Sequence, residues 1–200
     1  IKSDGVINLF SDVKEEFSLF DPKFLEDISK MQEKNLAVEL LKKLIAEQIH
    51  IYKRTNLVKS EKFSEIIQEV MNRYLNGMLT NEEVIQELLQ LAKSITEAKK
   101  AGDDLGLTDS ELAFYDALTK PEAVKDFYEN DELVAITKEL TEALRKNRTI
   151  DWQKKESARA KMRMMIKKLL KTHRYPPEGM EDAVQTVMAQ CEMWVDNEKM

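Results

Sequence analysis

Twelve lysines and arginines lie between Arg145 and Arg174, against two acids, Asp151 and Glu156. The segment carries a net +10 in a chain whose formal net charge is −6, which leaves −16 on the remainder. Fixed cations at this density recognise anions, either nucleic-acid phosphates or the carboxylates of an acidic protein surface. Lys154, Lys161 and Lys168 recur every seven residues. Lys155, Arg159, Arg163, Lys167 and Lys171 recur every four, which sets them as an adjoining ridge on a helix. The candidate partner- or DNA-binding residues are therefore Lys155, Arg159, Lys161 and Arg163, with Lys167, Lys168 and Lys171 further along. Three readings are open. The acidic remainder of the chain, or water, neutralises the helix. Or it contacts duplex phosphate, with a steep salt dependence. Or it docks an acidic protein, with a weaker salt dependence and a hydrophobic contribution.

Catalytic constellations do not accompany this charge. No glycine-rich phosphate loop is present, so the segment is not expected to bind ATP by itself. His50 and His173 are the two histidines, and neither has a second histidine at helical ligand spacing. Asp103-Asp104 sits between two glycines but supplies too few oxygen ligands for a cation. Glu97 and Lys99 match the tail of a PD-(D/E)xK nuclease motif, yet they close a predicted helix where that chemistry needs a strand. Cys191, beside Met188 and Val195, reads as a small buried hydrophobe. No catalytic residue, cofactor or metal ligand is assigned. The aromatics Phe114, Tyr115, Trp152, Tyr175 and Trp194 read as core, with Trp152 placed to lock the entry to the basic helix. Met162, Met164 and Met165 suit an adaptable binding surface or core filling equally well.

The elements that must position these residues are helical. Five glycines and four prolines in 200 residues, with 42% hydrophobic and 34% charged, exclude a many-stranded β protein and a disordered chain alike. Asp21-Pro22 opens a helix to about Met31. Apolar residues at 36, 37, 40, 41, 44, 45, 49 and 52 stripe the next, Leu36 to Tyr52. Ser60 is placed as the cap of Phe63 to Leu75, which Asn76-Gly77 ends. Thr80 and Glu83 form a capping box for a helix to about Lys100, and Thr108 and Glu111 form a second. Ala101 to Gly106 reads as the clearest loop. Pro121 starts a short helix to about Tyr128, and Leu133 to Leu144 is amphipathic. Asp151 caps a long basic helix, 152–172, whose inward stripe is Ala158, Met162, Met165, Ile166, Leu169 and Leu170. Tyr175-Pro176-Pro177 breaks it, and a last helix runs from Met180 to Val195. Residues 1–20 show no clean period. The expectation is an all-α helical bundle, divided into two sub-bundles at residues 1–105 and 106–200.

No run of about 18 apolar residues occurs, so no membrane span is expected. The single cysteine rules out an intramolecular disulfide and points to a reduced, cytoplasmic setting. The chain starts at Ile1 without an initiator Met or a signal-peptide pattern, and is expected to be a piece of a longer protein. An acidic pI near 5.2 argues against a generic nucleic-acid binder.

Several segments together resemble a known family. These are Leu112-Ala113-Phe114-Tyr115-Asp116-Ala117-Leu118, Thr149-Ile150-Asp151-Trp152, and Arg159-Ala160-Lys161-Met162-Arg163 with Leu169-Leu170 and Tyr175-Pro176-Pro177. Upstream, Lys34-Asn35-Leu36-Ala37-Val38-Glu39-Leu40-Leu41-Lys42 and Lys62-Phe63-Ser64-Glu65 belong to the same pattern. The combination resembles the C-terminal helical region of the R subunit of type I restriction-modification enzymes, over about residues 5 to 195. The resemblance implies a parent protein that is an ATP-dependent DNA translocase and site-specific deoxyribonuclease. That parent would have an N-terminal nuclease domain, two helicase-like motor domains, and ATP and magnesium sites elsewhere in its length. It implies that this region is itself non-catalytic and docks that subunit onto the methyltransferase and specificity subunits. The alternative is a module that holds duplex DNA by its phosphate backbone during translocation. The nuclease and Walker-type motifs of the family are absent here, so no catalytic residue carries over.

Overall fold

A computed structural model describes residues 18–124, 126–149 and 151–198, the last four as backbone alone. Among these residues the structure is all-α: eight α-helices, two short 3-10 turns and no strand. The helices are α1 (Pro22–Ser29), α2 (Lys34–Thr55), α3 (Leu57–Leu75), α4 (Asn81–Leu105), α5 (Asp109–Thr119), α6 (Asn130–Asn147), α7 (Glu156–Thr172) and α8 (Pro177–Glu198). The aperiodic segment 1–20 lies outside the described residues up to position 17.

Packing gathers the chain into two compact units. One holds the residues up to Ile49 with Phe63–Lys99, the other His50–Lys62 with Lys100 onward. The division differs from the expected 1–105 and 106–200 in two places. Residues 101–105, expected to be a loop, are the last turn of α4. Gly102 is helical because Leu112 lies against it: a Cβ there would stand 3.0 Å from Leu112 Cδ2. The stop is Gly106, at φ 67°. The Leu107 N–H bonds the Gly102 carbonyl at 2.9 Å and the Gly106 N–H the Asp103 carbonyl at 3.1 Å, a Schellman end. The second difference is residues 50–62, which belong with the C-terminal helices.

In the first unit, Asp21 caps α1 by accepting from the Lys23 N–H at 2.9 Å, with Pro22 at the first helical position. Ala37, Val38, Leu41, Ile45 and Ile49 form the buried stripe of α2. Gly77, at φ 73°, closes α3 with the same pair of bonds: Met78 N–H to Arg73 O at 2.9 Å and Gly77 N–H to Tyr74 O at 3.1 Å. Thr80 and Glu83 then cap α4 reciprocally, at 3.2 and 2.7 Å. Arg73 pairs with Glu87, and the Tyr74 hydroxyl donates to Asn81 at 2.7 Å, which fixes the α3–α4 hairpin.

In the second unit, α5 packs on α6 and α8, and α7 packs on the same two helices. The shared core includes Phe114, Leu118, Leu140, Leu144, Ile166 and Val187. The capping box of α5 forms as expected, Glu111 N–H to the Thr108 hydroxyl at 3.2 Å and Thr108 N–H to the Glu111 carboxylate at 3.1 Å. Gly179 lets α8 approach Pro121, since a Cβ there would stand 2.8 Å from the proline ring. Pro121 is followed by a 3-10 turn, Glu122–Val124, rather than a helix to Tyr128.

The α2–α3 break lies inside this unit and is closed by side chains. Asn56, not Ser60, caps α3: its Oδ1 accepts from the Lys59 N–H at 3.1 Å. Gln190 of α8 reaches the break with both ends of its carboxamide. Its Nε2 donates to the Thr55 carbonyl at 3.0 Å, and its Oε1 accepts from the Leu57 N–H at 2.8 Å. Asp116 of α5 takes the Asn56 amide at 2.7 Å and the Lys59 ammonium at 2.5 Å. Asn56 is 4% exposed and Gln190 2%, so both amide side chains need partners within the fold.

The expected helix 152–172 is two elements. Asp151 adopts φ 59° and makes no capping bond. Trp152–Lys154 is a 3-10 turn that puts the Trp152 indole into the core at 1% exposure. Extended Lys155 follows, and α7 starts at Glu156. At its other end, Arg174 sits at φ 59° while the Tyr175 N–H bonds the Leu170 carbonyl at 2.9 Å. Tyr175 is buried and donates its hydroxyl to the Leu118 carbonyl at 2.6 Å. Pro177 then opens α8 three residues before the expected start.

Three outcomes are expected. Gln190→Leu should lower unfolding free energy by about 0.5–1.5 kcal/mol by removing two part-buried hydrogen bonds to the Thr55 carbonyl and the Leu57 N–H, measured as a urea midpoint at unchanged m-value. Arg174→Gly should raise it by up to about 1 kcal/mol, because glycine relieves the left-handed backbone. The third concerns pH. Burial raises the pKa of Tyr52, Tyr115, Tyr128 and Tyr175, and pushes Cys191 up to about 12. These groups ionise first in the unfolded chain, so their contribution is complete below their ordinary values and declines as pH rises above about 9. Urea midpoints should fall between pH 8 and 10.5, and less steeply in Tyr175→Phe.

Candidate interaction surface on α7

The inward face of α7 is the expected one: Met162, Ile166 and Leu170 are buried, with Ala158, Met165 and Leu169 packed partly against the same core. This fixes the direction of every charge on the helix. Arg159 and Lys167 flank the buried stripe on the side of α8. Arg159 pairs with Glu192 and also reaches the Gln153 carbonyl at 3.4 Å. Lys167 pairs with Glu181 at 3.1 Å. The predicted ridge Arg159–Arg163–Lys167–Lys171 is therefore not uniformly available, since two of its members are already neutralised within the fold. Arg163, between them, is half-buried.

Lys155, Lys161, Lys168 and Lys171 are exposed, and none has an acid within ion-pair distance among the described residues. Three of them join a stripe with spacing 4, 3, 4 and 3: Ser157, Lys161, Met164, Lys168 and Lys171. Residues at that spacing share one face of a helix. Met164, at its centre, is 71% exposed. The surface is thus a cationic stripe around an apolar side chain. The three methionines of the segment divide their roles, with Met162 buried, Met165 half-buried and Met164 in water. Sequence periodicity placed Met162 inside. It gave no signal for Glu181 and Glu192, which lie 14 and 33 residues beyond their partners.

A cavity of about 300 Å³ opens where α6 ends and α7 begins. Its polar wall includes Thr149, Lys155, Ser157 and Lys161, and its apolar wall is built from Met162 and Met165. A second, of about 540 Å³, lies at the α7–α8 corner and includes Lys171, Arg174 and Tyr175.

The other sequence candidates sit as structural groups. Trp194 lies under the Arg148 guanidinium at 4.3 Å and meets Phe114 edge-on at 5.5 Å. Trp152 and Tyr175 are buried and present no stacking platform. Cys191 is fully buried, and burial holds it as the thiol. His173 Nε2 meets Glu139 at 2.6 Å. Glu97, Lys99, Asp103 and Asp104 are exposed positions of α4, so neither a nuclease strand nor an acidic loop exists there. No cluster of three or more histidines, cysteines or acids is suited to a metal among the described residues. No helix among them is long and apolar enough to cross a membrane.

Comparison with known proteins gives the family. The family model described as type I restriction enzyme HindI endonuclease subunit-like, C-terminal, matches residues 1–197. The type I restriction enzyme HindI endonuclease subunit of Haemophilus influenzae is 37% identical over 195 residues, which is 96% of this chain and 18% of that protein. A Methanocaldococcus jannaschii protein, provisionally named the type I restriction enzyme MjaIXP endonuclease subunit, is 32% identical over 166 residues, 82% of this chain and 16% of that one. The chain thus spans less than a fifth of the length of either relative. No solved structure matches it. A family model covering nearly the whole chain, together with these identities, shows that the chain belongs to the C-terminal family of HindI-like type I restriction enzyme endonuclease subunits.

Proposed function

We propose that this region docks an ATP-dependent DNA translocase and endonuclease subunit onto its methyltransferase–specificity core, through the exposed face of α7. The observation that carries this reading is the stripe Lys161–Met164–Lys168–Lys171. Its lysines meet no acid among the described residues, while their neighbours Arg159 and Lys167 do. An apolar side chain 71% exposed between cations suits a protein surface with carboxylates around an apolar patch. A phosphate backbone offers nothing for Met164 to pack against. The acidic remainder of the chain would also repel DNA along most of its surface.

The whole subunit bearing Lys161→Glu, Lys168→Glu and Lys171→Glu should lose at least about tenfold in affinity for the methyltransferase–specificity core, measured by titration calorimetry without DNA. Far-UV circular dichroism should be unchanged, because the three side chains are exposed. Arg159→Ala should behave in the opposite way: stability falls by about 0.5 kcal/mol, the scale of a partly exposed ion pair, and assembly is retained. Undiminished assembly of the triple variant would sink the docking reading. If the wild-type region instead shifts duplex DNA at about 50 mM salt and releases it as salt rises, the face belongs to the phosphate backbone.

A further inference from the structure

The cavity at the α6–α7 junction shares Lys161 with the docking stripe but has a chemistry of its own. Lys155 and Lys161 enter it from two turns of the chain, and neither has an acid among the described residues. Thr149 and Ser157 line it too; both are exposed, and neither hydroxyl has a hydrogen-bond partner among the described residues. Met162 and Met165 complete the lining with Asn147 and Ala158. At about 300 Å³ the space is at the lower end of ligand sites and has room for one or two side chains. Two ammonium groups and two hydroxyls make a donor-rich wall, and a carboxylate is an acceptor without donors. Thioether walls take a branched apolar side chain and adapt to its shape.

We propose that this cavity is an anchor socket for an acidic side chain next to an apolar one on the partner polypeptide. The proposal rests on the docking reading and names what the partner presents: an Asp or Glu for Lys155 and Lys161, with a neighbouring Leu- or Ile-like residue against Met162 and Met165. Free phosphate shares the negative charge but has nothing to set against the methionines, so the two sources separate experimentally.

The test uses this 200-residue chain with 13C-labelled methionine methyl groups. Three probes are titrated: acetyl-Asp-Leu-Glu-amide, acetyl-Asn-Leu-Gln-amide and inorganic phosphate. The acidic peptide should move the Met165 resonance saturably, at millimolar affinity. The amide peptide should bind at least about tenfold more weakly, because it lacks charge-assisted hydrogen bonds. Phosphate should leave Met165 unmoved. Lys155→Gln with Lys161→Gln should abolish the shift; both side chains are exposed, so circular dichroism confirms that the fold is kept. An absent shift, an equal response to the amide peptide, or displacement of the acidic peptide by phosphate each overturns the socket. Lys168→Glu with Lys171→Glu separates this from the parent reading, because those residues lie outside the Lys155–Lys161 cavity. Assembly lost in that variant with no peptide binding overturns the socket and leaves the dock. Peptide binding with assembly intact keeps the socket and overturns the part of the docking reading that rests on Lys168 and Lys171.

Discussion

The second unit is organised around a chain break that one side chain closes. Between Thr55 and Leu57 the helical ladder is interrupted in a part-buried corner, and Gln190 supplies the carbonyl and the amide with partners. The Gln190 carboxamide is neutral and offers an acceptor and two donors from a single planar group. Its placement on α8 ties the register of that helix to the α2–α3 corner. Asp116 does the same from α5, holding Asn56 and Lys59 together. A buried ion pair adds little net stability by itself, but breaking one partner leaves an uncompensated charge. The cluster therefore specifies where α5 and α8 meet residues 50–62 more than it adds to the depth of the energy well.

This explains what was legible in the sequence and what was not. Helix type followed from the 3-4 apolar spacing, eight of the nine expected helices are present among the described residues while the one after Pro121 is a 3-10 turn, and the ends with local chemistry were readable: Asp21-Pro22, Thr80 with Glu83, Thr108 with Glu111, and Asn76-Gly77. Each of those uses bonds spanning only a few residues. The errors have the opposite character. Ser60 reads as a cap because it is a short polar residue before an apolar run, but the decisive group, Asn56, is held by Asp116, 60 residues away, while Gln190 bonds its neighbours Thr55 and Leu57. Ala101 to Gly106 looked like a loop from its two glycines. Gly102 serves a close contact with Leu112 instead, and Gly106 alone supplies the left-handed turn. The long basic helix lost its first turn because burying Trp152 needed a 3-10 turn and an extended Lys155.

The candidate surface was legible as charge and illegible as geometry. Composition located the +10 segment at once, and periodicity turned its apolar stripe inward. Which cations remain for an outside partner depends on α8, since Glu181 and Glu192 each remove one from play. Such long-range pairing has no sequence signature in a single chain. The charge separation that seemed to describe the whole helix thus describes one side of it, and the exposed Met164 changes its character from purely ionic to amphipathic.

The two tryptophans have a spectroscopic consequence. Trp152 and Trp194 both belong to the unit built from His50–Lys62 and Lys100 onward, and the first unit contains neither. Indole emission thus follows the melting of one unit only. Helical ellipticity follows both. A gap between the fluorescence and dichroism transitions would report directly that the two units lose their structure in separate steps, without any label being added to the chain.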